Sequence, residues 1–174
     1  MALESIDPHQ TAFVAIDLQI RIVGHATAPH TGADVVRQCM RLTAASRDKG
    51  GQVVIVRYER PGESQPPGSE LVSEMEPQGD DLLITKNTWG AFHETGLHEA
   101  LRKRGITTLA LAGLATNFSV ESTARAAHEL GYRVLLVEDA MAGLDAGDHA
   151  FAVTRIFPHL GTVCSTDELL GALA

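Results

Sequence analysis

The run Gly113-Leu114-Ala115-Thr116-Asn117-Phe118-Ser119-Val120-Glu121-Ser122-Thr123 follows directly on the apolar stretch Thr107 to Ala112. It reads as a buried strand passing through a turn into the first turn of a helix. Such a junction aims backbone N–H groups and one side chain at a common point. Two charged residues end other apolar runs in the same way. Asp17 follows Ala12-Phe13-Val14-Ala15-Ile16, and Lys86 follows Leu82-Leu83-Ile84-Thr85. In a parallel sheet these strand ends share one edge, so Asp17, Lys86 and Ser119 are expected to converge. A carboxylate, an ammonium and a hydroxyl at one sheet edge suggest hydrolysis.

Strand-like and helix-like segments alternate along the rest of the chain. Strands are predicted at Ala12 to Asp17, Gln52 to Arg57, Leu82 to Lys86, Thr107 to Ala112, Arg133 to Glu138 and Thr162 to Cys164. Helices are predicted at Ala33 to Lys49, Gly96 to Arg104, Ser119 to Leu130, Asp148 to Phe157 (ending before Pro158) and Thr166 to Leu173. The segment Glu59 to Asp81, rich in Pro and Gly, is the longest irregular stretch, and long loops on such domains often shape or cover a site. Apolar strands between amphipathic helices imply an α/β fold, with a six-stranded, mainly parallel sheet covered on both faces. Ligands of such sheets bind beyond the carboxyl ends of the strands, where the three candidates lie. No repeat, low-complexity segment or second domain is visible, so residues 1–174 read as one domain.

The composition narrows the partners. The chain has 174 residues, 44% apolar and 21% charged, with a formal charge of −8. That charge disfavours nucleic acid and anionic membranes. No apolar run approaches the ~18 residues that span a bilayer. The N-terminus lacks a basic segment followed by an apolar one, so no secretory signal is expected. The two cysteines, Cys39 and Cys164, make no disulfide framework and read as buried structural thiols in a reducing cytoplasm.

Three segments also carry a resemblance, and they occur in its order: Val14-Ala15-Ile16-Asp17-Leu18-Gln19, then Lys86-Asn87-Thr88-Trp89-Gly90-Ala91-Phe92, then Gly113 to Thr123. The chain resembles the isochorismatase-like hydrolases, a family that includes nicotinamidases and other small-amide hydrolases. The resemblance covers nearly the whole chain. It implies a Rossmann-like α/β/α domain with strand order 3-2-1-4-5-6, and homodimers or larger assemblies. It also implies a small-molecule substrate. It assigns a catalytic Asp and Lys to Asp17 and Lys86, and a nucleophilic Cys to position 119, where this chain has Ser. It places a cis peptide at Leu114–Ala115, which would turn the Ala115 amide toward that of Ser119 as an oxyanion hole. It puts Gln19, Trp89, Phe92 and Phe118 at the substrate. On residue type alone, Trp89 and Phe92 are most simply packing residues, and Phe118 a pocket or interface residue.

Ser119 has a bland reading, because Ser near a helix start is commonly a cap. A serine hydroxyl is also far harder to deprotonate than a thiol with a reference pKa of ~8.5. An Asp is a poor base for it, and none of the three segments contains a His. Three explanations stay open: an engineered Cys-to-Ser trap, a natural hydrolase with no covalent step, or a scaffold that has lost catalysis and only binds. The isochorismatases proper lack the cysteine and are thought to use the Asp as an acid on a vinyl ether, which favours the second. No metal is expected. The metal-binding members of the family carry Asp-x-His after the second strand, where this chain reads Arg57-Tyr58-Glu59-Arg60-Pro61. The histidines at 25, 30, 93, 98, 128, 149 and 159 lack ligand spacing and read mostly as surface residues. No glycine-rich nucleotide motif is present, and no cofactor is expected.

Overall fold

The computed structural model describes residues 3–62 and 64–173. Six strands form one sheet: β1 (Thr11–Ile16), β2 (Gln52–Tyr58), β3 (Leu82–Lys86), β4 (Thr108–Leu114), β5 (Arg133–Ala142) and β6 (Thr162–Cys164). Their order is β3-β2-β1-β4-β5-β6, and every neighbouring pair is parallel. The helices are α1 (Ile20–Val23), α2 (Gly32–Asp48), α3 (Leu97–Lys103), α4 (Glu121–Glu129), α5 (Ala146–Phe151), α6 (Phe157–Leu160) and α7 (Thr166–Ala172). No helix of the described residues is long and apolar enough to cross a membrane.

The alternation of strand side chains divides the core into two layers. Phe13, Ala15, Val53, Ile55, Ala110, Ala112, Leu135 and Val137 point to one face, where α2 (Val35, Cys39, Leu42) and α7 (Leu169, Ala172) cover them. Val14, Ile16, Val54, Val56, Leu109, Leu111, Val134 and Leu136 point to the other face. There α3 (Leu97, Leu101), α4 (Ala124, Ala127) and α6 (Phe157) pack. A strand buried on both sides must be apolar throughout, which is why β1 and β4 show no polar–apolar alternation. Local signals set the helix starts. Thr31 and Asp34 form a reciprocal capping box on α2, and Ser165 and Glu168 do the same on α7.

Departures from the predicted elements cluster around the strand ends. Asp17 lies just past β1 rather than in it, with a positive φ of 56°. A short polar side chain tolerates that conformation better than most. The helix expected from Ser119 begins earlier, as a π-helical turn over Thr116–Val120, before α4 continues it. The strand expected to end at Glu138 runs on to Ala142 across an irregularity opposite Leu111 and Gly113. The helix expected to stop before Pro158 instead passes through a π turn, Ala152–Ile156, and resumes. Pro158 thereby falls in a first turn, where its missing N–H costs no helical bond. The short α1 went unpredicted, since four residues carry too little periodicity to be read.

Gly113 explains how β1 and β4 meet beneath the site. It pairs with Ile16 and has φ 125°. A Cβ there would lie 2.1 Å from the Ile16 carbonyl oxygen, so only glycine lets the strands close up at this level.

Candidate active site

Asp17, Lys86 and Ser119 come together at the carboxyl edge of the sheet. Asp17 leaves the central strand β1, and its amide donates to the Val56 carbonyl, 2.9 Å away. Lys86 ends the edge strand β3, where Ile84 and Lys86 face inward while Leu83 and Thr85 face outward. That parity carries the Lys86 chain under Tyr58, its register partner on β2, to the Asp17 carboxylate. Ser119 sits within the π turn after β4, so it is not a helix cap; Ala115 precedes the turn.

The three polar groups are mutually bonded. The Lys86 ammonium donates to Asp17 Oδ2 over 2.8 Å, to the Thr88 carbonyl over 3.0 Å, and to Ser119 Oγ over 3.4 Å. The Ser119 hydroxyl donates to the same Oδ2 over 2.7 Å. The Tyr58 ring centre lies 5.5 Å from the Lys86 nitrogen, within cation–π range. Lys86 is 1% exposed and Asp17 3%. Burial is the larger effect on Asp17 and raises its pKa above the ordinary 3.8, against the opposing pull of the Lys86 charge and the bonds from Lys86 and Ser119. Asp17 Oδ1 is buried and has no hydrogen-bond partner among the described residues.

A cavity of about 550 Å³ opens over this cluster, lined by Asp17, Ile22, Tyr58, Lys86, Asn87, Thr88, Trp89, Phe118 and Ser119. Trp89 is 60% exposed at the mouth and meets Phe118 edge-to-face at 5.0 Å. The Leu114–Ala115 peptide is cis. The Phe118 and Val120 amides both donate to the Ala115 carbonyl.

Two residues expected at the substrate do not line this cavity. Gln19 is wholly buried. Its amide nitrogen donates to the Tyr58 and Ser69 carbonyls, and its oxygen accepts from the Tyr58 amide over 2.8 Å. It ties the exit of β1 to the end of β2 and to the long loop, with both amide atoms engaged in backbone bonds. Phe92 does not line the cavity. The Ala91 amide donates to Thr123 Oγ1 over 3.1 Å, which pins the chain onto α4 and carries Phe92 away to stack on Tyr132, centroids 5.9 Å apart. Tyr58, Asn87, Thr88 and Ile22 were missed as lining residues. Tyr58 had a signal, since it ends β2 on the same edge. His149, read with the surface histidines, is 4% exposed and shares a 2.7 Å hydrogen bond with Thr116.

Both thiols are buried away from the cavity. Burial pushes Cys39 up, and it pushes Cys164 to about 12, so neither is a ready nucleophile. Among the described residues no three His, Cys, Asp or Glu side chains gather to hold a metal ion.

Residues 11–168 match the isochorismatase domain model. The chain belongs to the isochorismatase family. It is 37% identical over 180 residues to the isochorismatase family protein YecD of Escherichia coli O157:H7, covering 94% of this chain and 96% of that one. The structure of an isochorismatase family protein from Burkholderia thailandensis superposes with a TM-score of 0.89 at 35% identity, over 99% of both chains. A partial match reaches an amide-cleaving relative. The ureidoacrylate amidohydrolase RutB of Agrobacterium fabrum is 41% identical over 106 residues, 60% of this chain and 46% of that one.

Proposed function

We propose that this isochorismatase-family chain hydrolyses a small organic molecule, a vinyl ether or a small amide C–N bond, by proton transfer through Asp17. The observation that carries the reading is the buried Asp17–Lys86 pair beneath a cavity of small-molecule size. A raised carboxyl pKa lets Asp17 hold a proton at a pH where an ordinary Asp has lost it. Oδ2 is occupied by Lys86 and Ser119, so the exchangeable proton belongs on the unpartnered Oδ1.

On a vinyl ether, Oδ1–H protonates the terminal alkene carbon, and the C=C electron pair forms the new C–H bond. Water then adds to the oxocarbenium carbon and returns its proton to Asp17. The resulting hemiketal breaks its C–O bond to release an alcohol and a carbonyl product. On an amide, the carboxylate takes a proton from the attacking water and delivers it to the departing nitrogen. Lys86 steadies the carboxylate form that appears in each cycle. The Ala115 and Ser119 amides serve as donors to the oxyanion of the amide reaction.

A second reading has its own observation. The 2.7 Å bond from Ser119 to Asp17 is the geometry of a nucleophile and its base. A third possibility, a non-catalytic binder on the same scaffold, is an outcome of the test. Turnover is measured across a panel of amides and a vinyl ether such as isochorismate. Turnover that Asp17→Asn abolishes and Ser119→Ala largely keeps supports the first reading. Loss in Ser119→Ala, with an ester trapped on the wild-type chain, moves the assignment to a serine nucleophile. Binding without turnover marks a binder.

A further inference from the structure

Proton transfer through Asp17 leaves His149 without a task, although it is buried beside the catalytic turn. It stands on α5, whose start is fixed by the Asp145 carboxylate accepting from the Gly147 and Asp148 amides. Its Nδ1 lies 2.7 Å from Thr116 Oγ1. His149 is 4% exposed and Thr116 0%, so neither can readily exchange this bond for one to water. Thr116 is the first residue of the π turn, directly after Ala115, and Ser119 is one position short of its end. On the far side of the turn, Thr123 Oγ1 donates to the Ser119 carbonyl over 2.7 Å. The turn is thus held at its start by His149, through Thr116, and near its end by α4. Ser119 is the residue held by the second anchor, and Ala115 is the residue directly before the first.

We infer that His149 is a positioning residue. Through the Thr116 hydroxyl it fixes the turn that sets Ser119, and the amides of Ala115 and Ser119, against Asp17 and Lys86. It touches no substrate. The inference rests on the catalytic reading of this site, but its test needs no substrate. The face of the imidazole toward solvent is nearly closed, its ring neighbour is the edge-on imidazole of His30, centroids 6.1 Å apart, and desolvation, followed by the His30 interaction, holds it toward the neutral form. A neutral imidazole is the form suited to a fixed bond with a hydroxyl.

The test uses Ser119→Cys as a reporter at the turn. Iodoacetamide alkylation is followed by intact mass as a function of pH. The buried Cys39 and Cys164 stay unreacted, so a single adduct reads position 119. In that background His149→Leu and Thr116→Val each shift the alkylation rate by about tenfold or more, a displacement of about 1 Å being able to cost a positioned group ~10²-fold. The double variant shifts it no further than either single one, because both remove the same bond. His149→Asn, which keeps a hydrogen-bonding atom near the Nδ1 position, restores the rate to within about twofold. Unchanged rate and pH midpoint in both His149→Leu and Thr116→Val overturn the inference, as do additive effects in the double variant. If His149→Leu does not fold, the near-isosteric Thr116→Val removes the bond from the other side and decides the matter. Absence of turnover in the substrate panel bears on the hydrolase reading alone. Where a substrate is found, the same variants in the Ser119 chain lower kcat and leave KM in place.

Discussion

Replacing Lys86 by Met separates the ion pair from its packing. The aliphatic stem stays roughly filled while the ammonium goes. Lys86 is 1% exposed and bonds Asp17 at 2.8 Å, so its removal strands a buried carboxylate. Breaking a buried pair from one side costs about 3–5 kcal/mol while the partner stays charged. The cost depends on pH, and its sign follows from Asp17. Lys86 supplies the two leading effects that lower the Asp17 pKa, against the burial that raises it. Without Lys86 the folded-state pKa climbs further. The folded chain then binds a proton that the unfolded chain has released. Stability is kept below the unfolded Asp value of ~3.9 and declines as pH rises through the folded value, by about 1.36 kcal/mol for each pH unit that separates the two pKa values. Thermal unfolding at pH 8 should fall by roughly 6–20 °C in Lys86→Met, at 2–4 °C per kcal/mol for a chain of this size. The loss at pH 5 should be smaller. Asp17→Asn/Lys86→Met, which holds no stranded charge, should recover much of the loss at pH 8. An equal loss at both pH values, or no recovery in the double variant, would refute the ion-pair argument and assign the effect to packing.

Turnover by an Asp17 acid should decline with rising pH along a limb whose midpoint lies above the ordinary Asp value of 3.8, read from kcat/KM against pH; a limb at or below 3.8 removes Asp17 from the acid role. Gly113→Ala puts a Cβ 2.1 Å from the Ile16 carbonyl oxygen at φ +125°, so urea unfolding should show a loss of at least about 2 kcal/mol, since the β1 and β4 backbones must move apart there. Gln19→Leu leaves the Tyr58 amide and the Tyr58 and Ser69 carbonyls without their side-chain partner. It should cost about 1–3 kcal/mol in the same assay, and a loss under about 0.5 kcal/mol would mean that water replaces those bonds.

The strand ends were legible in the sequence because they combine two independent signals. A run such as Ala12 to Ile16 is apolar at every position, which only a strand covered on both faces requires. A charge placed at its exit then marks the carboxyl edge, where ligands of parallel sheets bind. Asp17 satisfies both conditions and Lys86, on an edge strand with Leu83 and Thr85 exposed, only the second; the structure brings the two into contact. The π turn was not legible, because the side chains of Thr116 to Val120 suit an α-helical start equally well. The Val120 amide closes the bond to the Ala115 carbonyl, five residues back, that makes the turn π, and a contact distant in sequence, Thr116 to His149, holds its start. Gln19 and Phe92, expected at the substrate, are drawn off this cavity by contacts of the same non-local kind. Each lies within a few residues of a site residue along the chain, but side-chain direction is decided by packing that local sequence does not encode. Tyr58 shows the opposite error, since the edge rule that found Lys86 also covered its register partner on β2.

Serine at position 119 fits this arrangement better than its weakness as a nucleophile suggests. With its hydroxyl donating to Asp17 Oδ2 and its oxygen facing Lys86, it completes a closed set of bonds around one carboxylate oxygen. A thiol there would be a weaker donor with a longer reach, and its thiolate would compete with Asp17 for Lys86. The hydroxyl lies against both Lys86 and Asp17 Oδ2 and leaves Oδ1 as the carboxylate oxygen without a partner among the described residues. Under the proposed mechanism, a site built this way concentrates proton transfer on one atom. Serine at this position therefore suits the proposed acid–base hydrolysis better than it suits acyl transfer.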